Sequence, residues 1–434
     1  MKLSARLAAA AALVLAAVTA TGCAPATSDN SATTDESSGT LRVWLFQEVN
    51  NGPKEKVVDG VVAAFEKQHK GVDVDVDYIP VASRAEKMKA AFNDPKSAPD
   101  LVEYGNTDTA GYVRDGGLAD VSAEFAKWDG SKGIDVTAKK SVTVDGKVYG
   151  APLFVGVRAL YYRTDVFKDL GLKAPETQAE LIATAHEIRK KRPDLYGLAV
   201  GGAATYAATP FIWAQGGELA AEKADGSYTS TIDSAKAQKG IKAYTSLFGS
   251  DNCPASKCAE MRGTDTITAF ASGKAAMVIG ADLNRQAVED GAVKGKYAVV
   301  PLPGVHKGEI APAFAGGNNI GVLKSSAHRT LAVDLMEDLA SERTQQKLFD
   351  AMGFLPTNTE VWDEITRRDP FVKPFVKTLD AGTKFVPATP AWATIDSSLV
   401  LPTMFQEVVR GDKSVGRAAQ DAAKKMDDAF ADAK

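Results

Sequence analysis

Hydrophobic and polar positions along this chain switch between two periods, and the switching outlines its elements. Leu41-Arg42-Val43-Trp44-Leu45-Phe46 is a nearly continuous apolar run, the pattern of a strand buried on both faces. Val57, Val58, Val61, Val62 and Phe65 then recur at helical spacing. Val72–Tyr78 alternates apolar residues with aspartate, which predicts a strand with one wet face. A second helix is expected around Met88, Ala91 and Phe92, and a third strand over Pro99–Tyr104, ending in Gly105-Asn106-Thr107. Strands alternating with helices predict an α/β fold with a mostly parallel sheet and right-handed crossovers. Ligands of such sheets bind beyond the carboxyl ends of the strands, so residues 46–48 and 104–108 are expected at a rim.

Farther along, Val142–Tyr149 reads as a hairpin around Asp145-Gly146, and Arg158–Tyr162 as a strand. Thr177–Lys191 is expected to be a helix with Leu181, Ile182, Ala185 and Ile188 on its core stripe. Leu195–Val200, Lys274–Gly280 and Tyr297–Val300 are further strands, Ala315–Asn319 is expected to be a loop, and helices dominate the rest, ending in 414–433. No internal repeat is present.

Lys2, Arg6 and the apolar run Leu7–Ala20 have the form of a secretory signal peptide over 1–22, shorter than the ~20 apolar residues of a transmembrane helix. No later segment approaches that length. Thr21-Gly22-Cys23 resembles the lipobox of bacterial lipoproteins, with Ala20 where leucine is usual. That resemblance implies lipidation at Cys23, and cleavage as an ordinary secreted protein is the alternative. Residues 24–39 are nearly all small and polar, so 23–39 is expected to be a flexible tether.

The chain has three cysteines. In an extracellular setting Cys253 and Cys258 are expected to form a disulfide, since two cysteines with no histidine nearby are too few for structural zinc. The 434 residues exceed one ordinary core, which implies at least two domains. With 51 basic and 55 acidic residues, nothing points to nucleic acid or to a polybasic membrane binder.

Asp73, Asp75 and Asp77 invite a calcium reading, but Tyr78 and Arg84 stand where an EF-hand loop needs Gly and Glu; a solvated strand face explains them better. No nucleophile–base motif, metal motif or phosphate loop surrounds the four histidines or the Gly-Gly pairs. No catalytic residue, cofactor or metal is therefore expected.

A series of segments, in order, resembles the oligosaccharide-delivering extracellular solute-binding proteins of ABC transporters. They are Val43-Trp44, Pro99-Asp100-Leu101-Val102, Gly111-Tyr112, Gly117–Asp120, Gly150-Ala151-Pro152, Arg158–Tyr162, Phe211–Gly217, Phe270–Met277, Gly316–Asn319 and Pro390-Ala391-Trp392. The resemblance implies two α/β lobes joined by crossing hinge segments, 40–155 with 317–366 and 156–316 with 367–434. It also implies a ligand cleft closed by hinge motion, a monomer, and delivery to permease subunits served by a cytoplasmic ATPase.

A sugar needs aromatic platforms for its C–H faces and polar side chains for its hydroxyls. Tyr104, Trp213 and Trp392 match aromatic positions of the family, each against the alternative of simple core packing; Trp44 is assigned to packing. The polar candidates are Gln47, Glu48, Asn106, Asp108, Asp282, Asn318 and Asn319, with Gly317 in the same loop and Arg158 as contact or hinge strut. Asp282 stands where an aromatic is common in the family, which implies a more polar subsite. Glu103–Thr107 resembles actinobacterial binders of N,N'-diacetylchitobiose; maltose, cellobiose, xylobiose, a non-sugar solute and a glycoside-acting enzyme remain alternatives.

Overall fold

The β-α-β order of the opening matches its pattern, although Arg42 is exposed and Trp44 half-buried, so the first strand is not buried on both faces as expected. In the computed structural model, which describes residues 35–433 apart from 49, 81, 82 and 95, strand Gly39–Phe46 pairs in parallel with Val72–Ile79 and Leu101–Gly105. Helix Gly52–Gln68 buries Val58, Val61 and Phe65, three of the five stripe residues. The sheet runs Val72–Ile79, Gly39–Phe46, Leu101–Gly105, Gly316–Val322, Ala151–Gly156. Val72–Ile79 is an edge strand, and Asp73, Asp75 and Asp77 form its exposed face, where charge discourages edge-to-edge pairing.

The fourth strand of that order corrects an expectation. The sequence places a loop at residues 315–319, yet Gly316–Val322 lies inside the sheet, antiparallel to both neighbours. A Cβ on Gly317 would lie 2.1 Å from the Phe154 carbonyl oxygen, and its φ of +132° favours glycine. The pairing with Ala151–Gly156 shifts between Asn318 and Asn319, a bulge. Glycines that read as loop punctuation here let a strand pass between crowded neighbours.

A second sheet runs Tyr297–Val300, Arg158–Arg163, Ala275–Ala281, Tyr196–Ala199, with only the last pair parallel. Met277 and Ile279 enter one core cluster with Leu181, Phe211 and Phe405, while Val278 enters another with Phe270 and Phe375. Alternate residues thus face two cores, which is why these strands read as continuous apolar runs. The first sheet has its own core around Val43, Phe65, Val322 and Leu335. The result is an α/β protein of two lobes.

Only Val157 separates strand Ala151–Gly156 of the first sheet from Arg158–Arg163 of the second. The chain returns through Ala313–Phe314, which pairs in parallel with Thr383–Lys384, before entering Gly316–Val322. The expected lobe limit at 366 falls inside helix Trp362–Arg368, whose Trp362 and Ile365 share a core with Tyr161, Phe270 and Phe375.

Asp145 and Gly146 both take left-handed backbone, φ 50° and 74°, and turn the expected hairpin. Thr177 caps helix Gln178–Lys191 by accepting from the Glu180 amide, and Ser414 caps Val415–Asp432 in the same way. Cys253 and Cys258 are joined as a disulfide.

The expected signal peptide, Cys23 and the tether as far as residue 34 lie outside the described residues. Residues 35–39, assigned by sequence to the tether, are instead docked. Asp35 accepts from the backbone amide and hydroxyl of Thr330, at the start of helix Arg329–Leu339, and the Glu36 amide donates to Ala327 O at 2.7 Å. Among the described residues no helix is long and apolar enough to cross a membrane.

Candidate functional site

In both sheets the parallel strand pairs direct their carboxyl ends toward the region where the chain crosses between lobes. In the second lobe, Tyr196–Ala199 leads into residues 200–206 and Ala275–Ala281 into Asp282-Leu283-Asn284. A cavity of about 780 Å³ opens there, within the range of small-molecule sites. Phe154, Gly156, Arg158, Phe314, Gly316 and Gly317 line it from the crossing strands. Residues 203–207, 260, 262–264, Asn284, Asp396 and Gln406 line it from the second lobe.

Tyr206 gives this cavity its aromatic character. Its ring stacks on Phe314 with centroids 4.2 Å apart and planes at 17°, and Phe314 stacks in turn on Phe385 at 6.0 Å. The Arg158 guanidinium lies 5.9 Å from the Tyr206 ring centroid. The Tyr206 hydroxyl sits 3.5 Å from an Asp396 oxygen, and burial pushes its pKa up. Arg262 adds a guanidinium with no ion-pair partner among the described residues, while Glu260 accepts from Gln406 at 3.1 Å. Stacked aromatics beside paired donors and acceptors suit a ligand with apolar faces and a hydroxyl rim.

The first lobe offers a polar cluster at the carboxyl edge of its sheet. Lys54 and Glu103, both 1% exposed, pair at 2.8 Å. Lys54 also donates to Phe46 O at 2.8 Å, and Glu103 accepts from the Phe46 amide at 2.8 Å and from Asn318 at 2.6 Å. Glu48 lies 3.7 Å from Lys54, with its pKa raised by burial despite that cation. Arg84 covers the Phe46 ring at 3.6 Å and donates to Gln47 O at 3.0 Å.

Two further carboxyls stand out. Burial, reinforced by repulsion from Asp396 of the other lobe, lifts Asp108 from 3.8 to about 6. Burial lifts Asp282 from 3.8 to about 7, although the Val157 amide donates to it at 3.0 Å; its second oxygen has no hydrogen-bond partner. Among the described residues no group of three His, Cys, Asp or Glu is placed to hold a metal ion.

The family of bacterial extracellular solute-binding proteins matches residues 51–346. The chain belongs to that family. The diacetylchitobiose binding protein DasA of Streptomyces coelicolor is 26% identical over 351 residues, covering 80% of this chain and 79% of the relative. The galactooligosaccharide-binding protein of Bacillus subtilis is 26% identical over 340 residues, 77% of this chain and 76% of the relative. Among solved structures, the sugar-binding protein MalE of Xanthomonas citri superimposes with a TM-score of 0.79 at 24% identity, covering 91% of this chain and 98% of that one. That last likeness is one of fold.

Within this solute-binding protein the expected site residues divide. Arg158 and Gly317 line the cavity. Gln47 is exposed and Glu48 half-buried on the first-lobe rim; Asn318 reaches Glu103, and Asp108 faces Asp396. Asp282 is buried beside the cavity wall and holds the crossing at Val157.

Three expected aromatic platforms are corrected. Tyr104 is fully buried with Met88, Val102 and Leu118, its hydroxyl 3.3 Å from Tyr149 O. Trp213 and Trp392 are 4% and 2% exposed in the second-lobe core, so neither presents a free ring face. The buried Trp392 indole nitrogen has no hydrogen-bond partner among the described residues. Asn106 and Asn319 are struts as well. Asn106 donates to Ala315 O at 2.9 Å, while Asn319 donates to Thr109 at 3.3 Å and Ser141 O at 3.2 Å.

Sequence reasoning missed Tyr206, Phe314, Arg262 and Asp396 in the cavity, and Lys54, Arg84 and Glu103 on the rim. A signal for Tyr206 existed. It follows strand Tyr196–Ala199 by seven residues, so the carboxyl-end rule applied to the first lobe would have found it in the second.

Proposed function

We propose that this protein is the extracellular capture component of an ABC importer for oligosaccharides. The single observation that carries the proposal is the cavity at the crossing segments, where the stacked Tyr206–Phe314 pair lies beside Arg158, Arg262, Asp396 and Gln406. An aromatic face surrounded by hydroxyl-binding groups selects a carbohydrate over an apolar or strongly charged solute. Relatives named for diacetylchitobiose and galactooligosaccharide binding, each covering more than three quarters of this chain, support the same class.

Within that class we favour N,N'-diacetylchitobiose or a related β-linked disaccharide, with DasA as the supporting relative. The second-lobe wall would hold the sugar first. The first-lobe rim, with Gln47, Glu48, Asp108 and Asn318, would close over it, since a ligand that bridges both lobes stabilises the closed form. In this proposal the lobes meet at 155/156 and 316/317, and the third limit moves from 366 to the start of helix Trp362–Arg368. The closed protein, acting as a monomer tethered through lipidated Cys23, would present both lobes to the permease.

Calorimetry across N,N'-diacetylchitobiose, maltose, cellobiose and xylobiose tests the proposal. One sugar is expected to bind with 1:1 stoichiometry and without turnover. Heat from none of them would overturn the carbohydrate assignment; release of monosaccharide would replace capture with hydrolysis.

A further inference from the structure

We propose that the Cys253–Cys258 disulfide is a positioning element of the ligand cavity, fixing the two wall segments 203–207 and 260–264 relative to each other. The assignment of this cavity as the ligand site comes from the proposed function above; the wall geometry does not depend on it.

Both segments line the cavity, and both hang on the disulfide loop. The first leaves strand Tyr196–Ala199, turns at Val200-Gly201-Gly202 and enters helix Thr205–Ala214 with Tyr206 in its first turn. The second leaves the one-turn helix Ala255–Cys258 and enters helix Gly263–Ala271 through Glu260 and Arg262. Two main-chain bonds join them: Gly202 N to Cys258 O at 3.0 Å and Ala203 N to Met261 O at 3.1 Å.

The contact leaves no slack. A Cβ on Gly201 would lie 2.2 Å from Met261 O, and one on Gly202 would lie 2.2 Å from Ala259 O. Both cysteines are fully buried, with the Cys253 sulfur 3.9 Å from Val200 O. On the far side, buried Asn252 accepts from Leu198 N at 2.8 Å and donates to Leu198 O at 3.0 Å and Leu247 O at 2.7 Å. The Tyr244 hydroxyl donates to Gly201 O at 2.8 Å and accepts from Gly201 N at 3.2 Å. One end of the disulfide is thus locked to the strand, while the other carries the carbonyls that hold Gly202 and Ala203.

The size of the covalent loop supports a local role. The cysteines are five residues apart in sequence, so the link restricts the unfolded chain far less than a bridge across a long loop would. Its main effect falls on the folded geometry next to it, which is the cavity wall bearing Tyr206 and Arg262.

The test uses the full chain with Cys253→Ser and Cys258→Ser together, and Cys253→Ala with Cys258→Val as a second pair that keeps the buried volume apolar should the serines prevent folding. Amide hydrogen exchange is expected to rise at least tenfold in 203–207 and 260–264 and to stay unchanged in helix Gly52–Gln68. Affinity for the sugar that wild type binds best is expected to fall about tenfold at unchanged stoichiometry. Phe430→Leu, in the second-lobe core away from the cavity lining, serves as the control: with a matched loss of Tm it is expected to leave affinity intact. Unchanged exchange in the two wall segments, or raised exchange with unchanged affinity, would overturn the proposal. If wild type binds none of the sugars, the carbohydrate assignment fails and exchange alone decides the role of the disulfide.

Discussion

The Val157 amide donates to the Asp282 carboxylate at 3.0 Å, and the Asp282 amide donates back to Val157 O at 3.3 Å. Val157 is the one residue between a strand of the first sheet and a strand of the second, so Asp282 grips the chain at the crossing. The bond competes with a desolvation cost, because Asp282 is buried with one oxygen unpartnered.

That balance fixes a pH dependence. Burial raises the Asp282 pKa from 3.8 to about 7, and Arg158 offsets it only in part. The folded protein therefore binds this proton more tightly than the unfolded chain does. Stability from the protonated form is complete below pH 3.8 and lost as pH rises through about 7. Asp282→Asn keeps an acceptor for Val157 and removes the titration. Its Tm relative to wild type is expected to be higher at pH 8 than at pH 5; a constant difference would contradict the assignment.

Tyr206 is expected to dominate ligand affinity. Tyr206→Ala removes the aromatic face stacked on Phe314 and the hydroxyl beside Asp396. A loss of about 1.5–3 kcal/mol, roughly 10- to 150-fold in Kd, follows from an aromatic contact of this kind. Tyr206→Phe should retain most of the affinity. Titration calorimetry with the sugar that wild type binds best distinguishes the two, and equal affinity for the alanine variant would remove Tyr206 from the site.

The sequence made the α/β architecture legible because each strand's burial leaves a period in the chain. Val72–Ile79, buried at its ends and alternating between, shows as clearly as Ala275–Ala281, which is buried throughout, whereas the apolar run Leu41–Phe46 hides the fact that Arg42 is exposed and Trp44 half-buried. Gly316–Val322 does not show, since its fitness as a strand depends on how closely Phe154 O approaches Gly317, a non-local fact. The aromatics failed for a related reason. Trp213, Trp392 and Tyr206 are equally apolar in sequence, and only the packing of helices Thr205–Ala214 and Ala391–Ser397 decides which ring lines the cavity. Polar residues after strand ends were easier to nominate than to sort: Asn106 and Asn319 spend their amides on main-chain and hydroxyl partners, whereas Asn318 reaches the rim through Glu103.

Lys54 and Glu103 form the rim's structural centre. Lys54→Met leaves the Glu103 charge buried with only the Phe46 amide and Asn318 as partners, and an uncompensated buried charge costs about 3–5 kcal/mol. Adding Glu103→Gln removes that charge while an amide oxygen still accepts from Phe46. The double variant is therefore expected to recover most of the loss in chemical denaturation. Equal stability of the single and double variants would show that the buried charge is not the cause.

Asp108 and Asp396 link the lobes to pH. Helix Thr109–Arg114, which Asp108 precedes, meets helix Ala391–Ser397, which carries Asp396, so the two carboxyls face each other from opposite lobes. Burial raises both pKa values, and Asp396 adds repulsion at Asp108, which reaches about 6. The neighbouring tyrosines 104, 112 and 206 are also pushed up by burial, so they stay protonated and supply no competing titration near neutral pH. The contact is thus most favourable below the ordinary carboxyl value of 3.8 and weakens as pH rises through about 6. The unliganded protein is expected to show a larger radius of gyration by small-angle scattering at pH 7.5 than at pH 5. Asp108→Asn, which cannot ionise, should stay as compact at pH 7.5 as wild type is at pH 5. A wild-type radius independent of pH, or the same pH response in the variant, would show that this pair does not govern how the lobes meet.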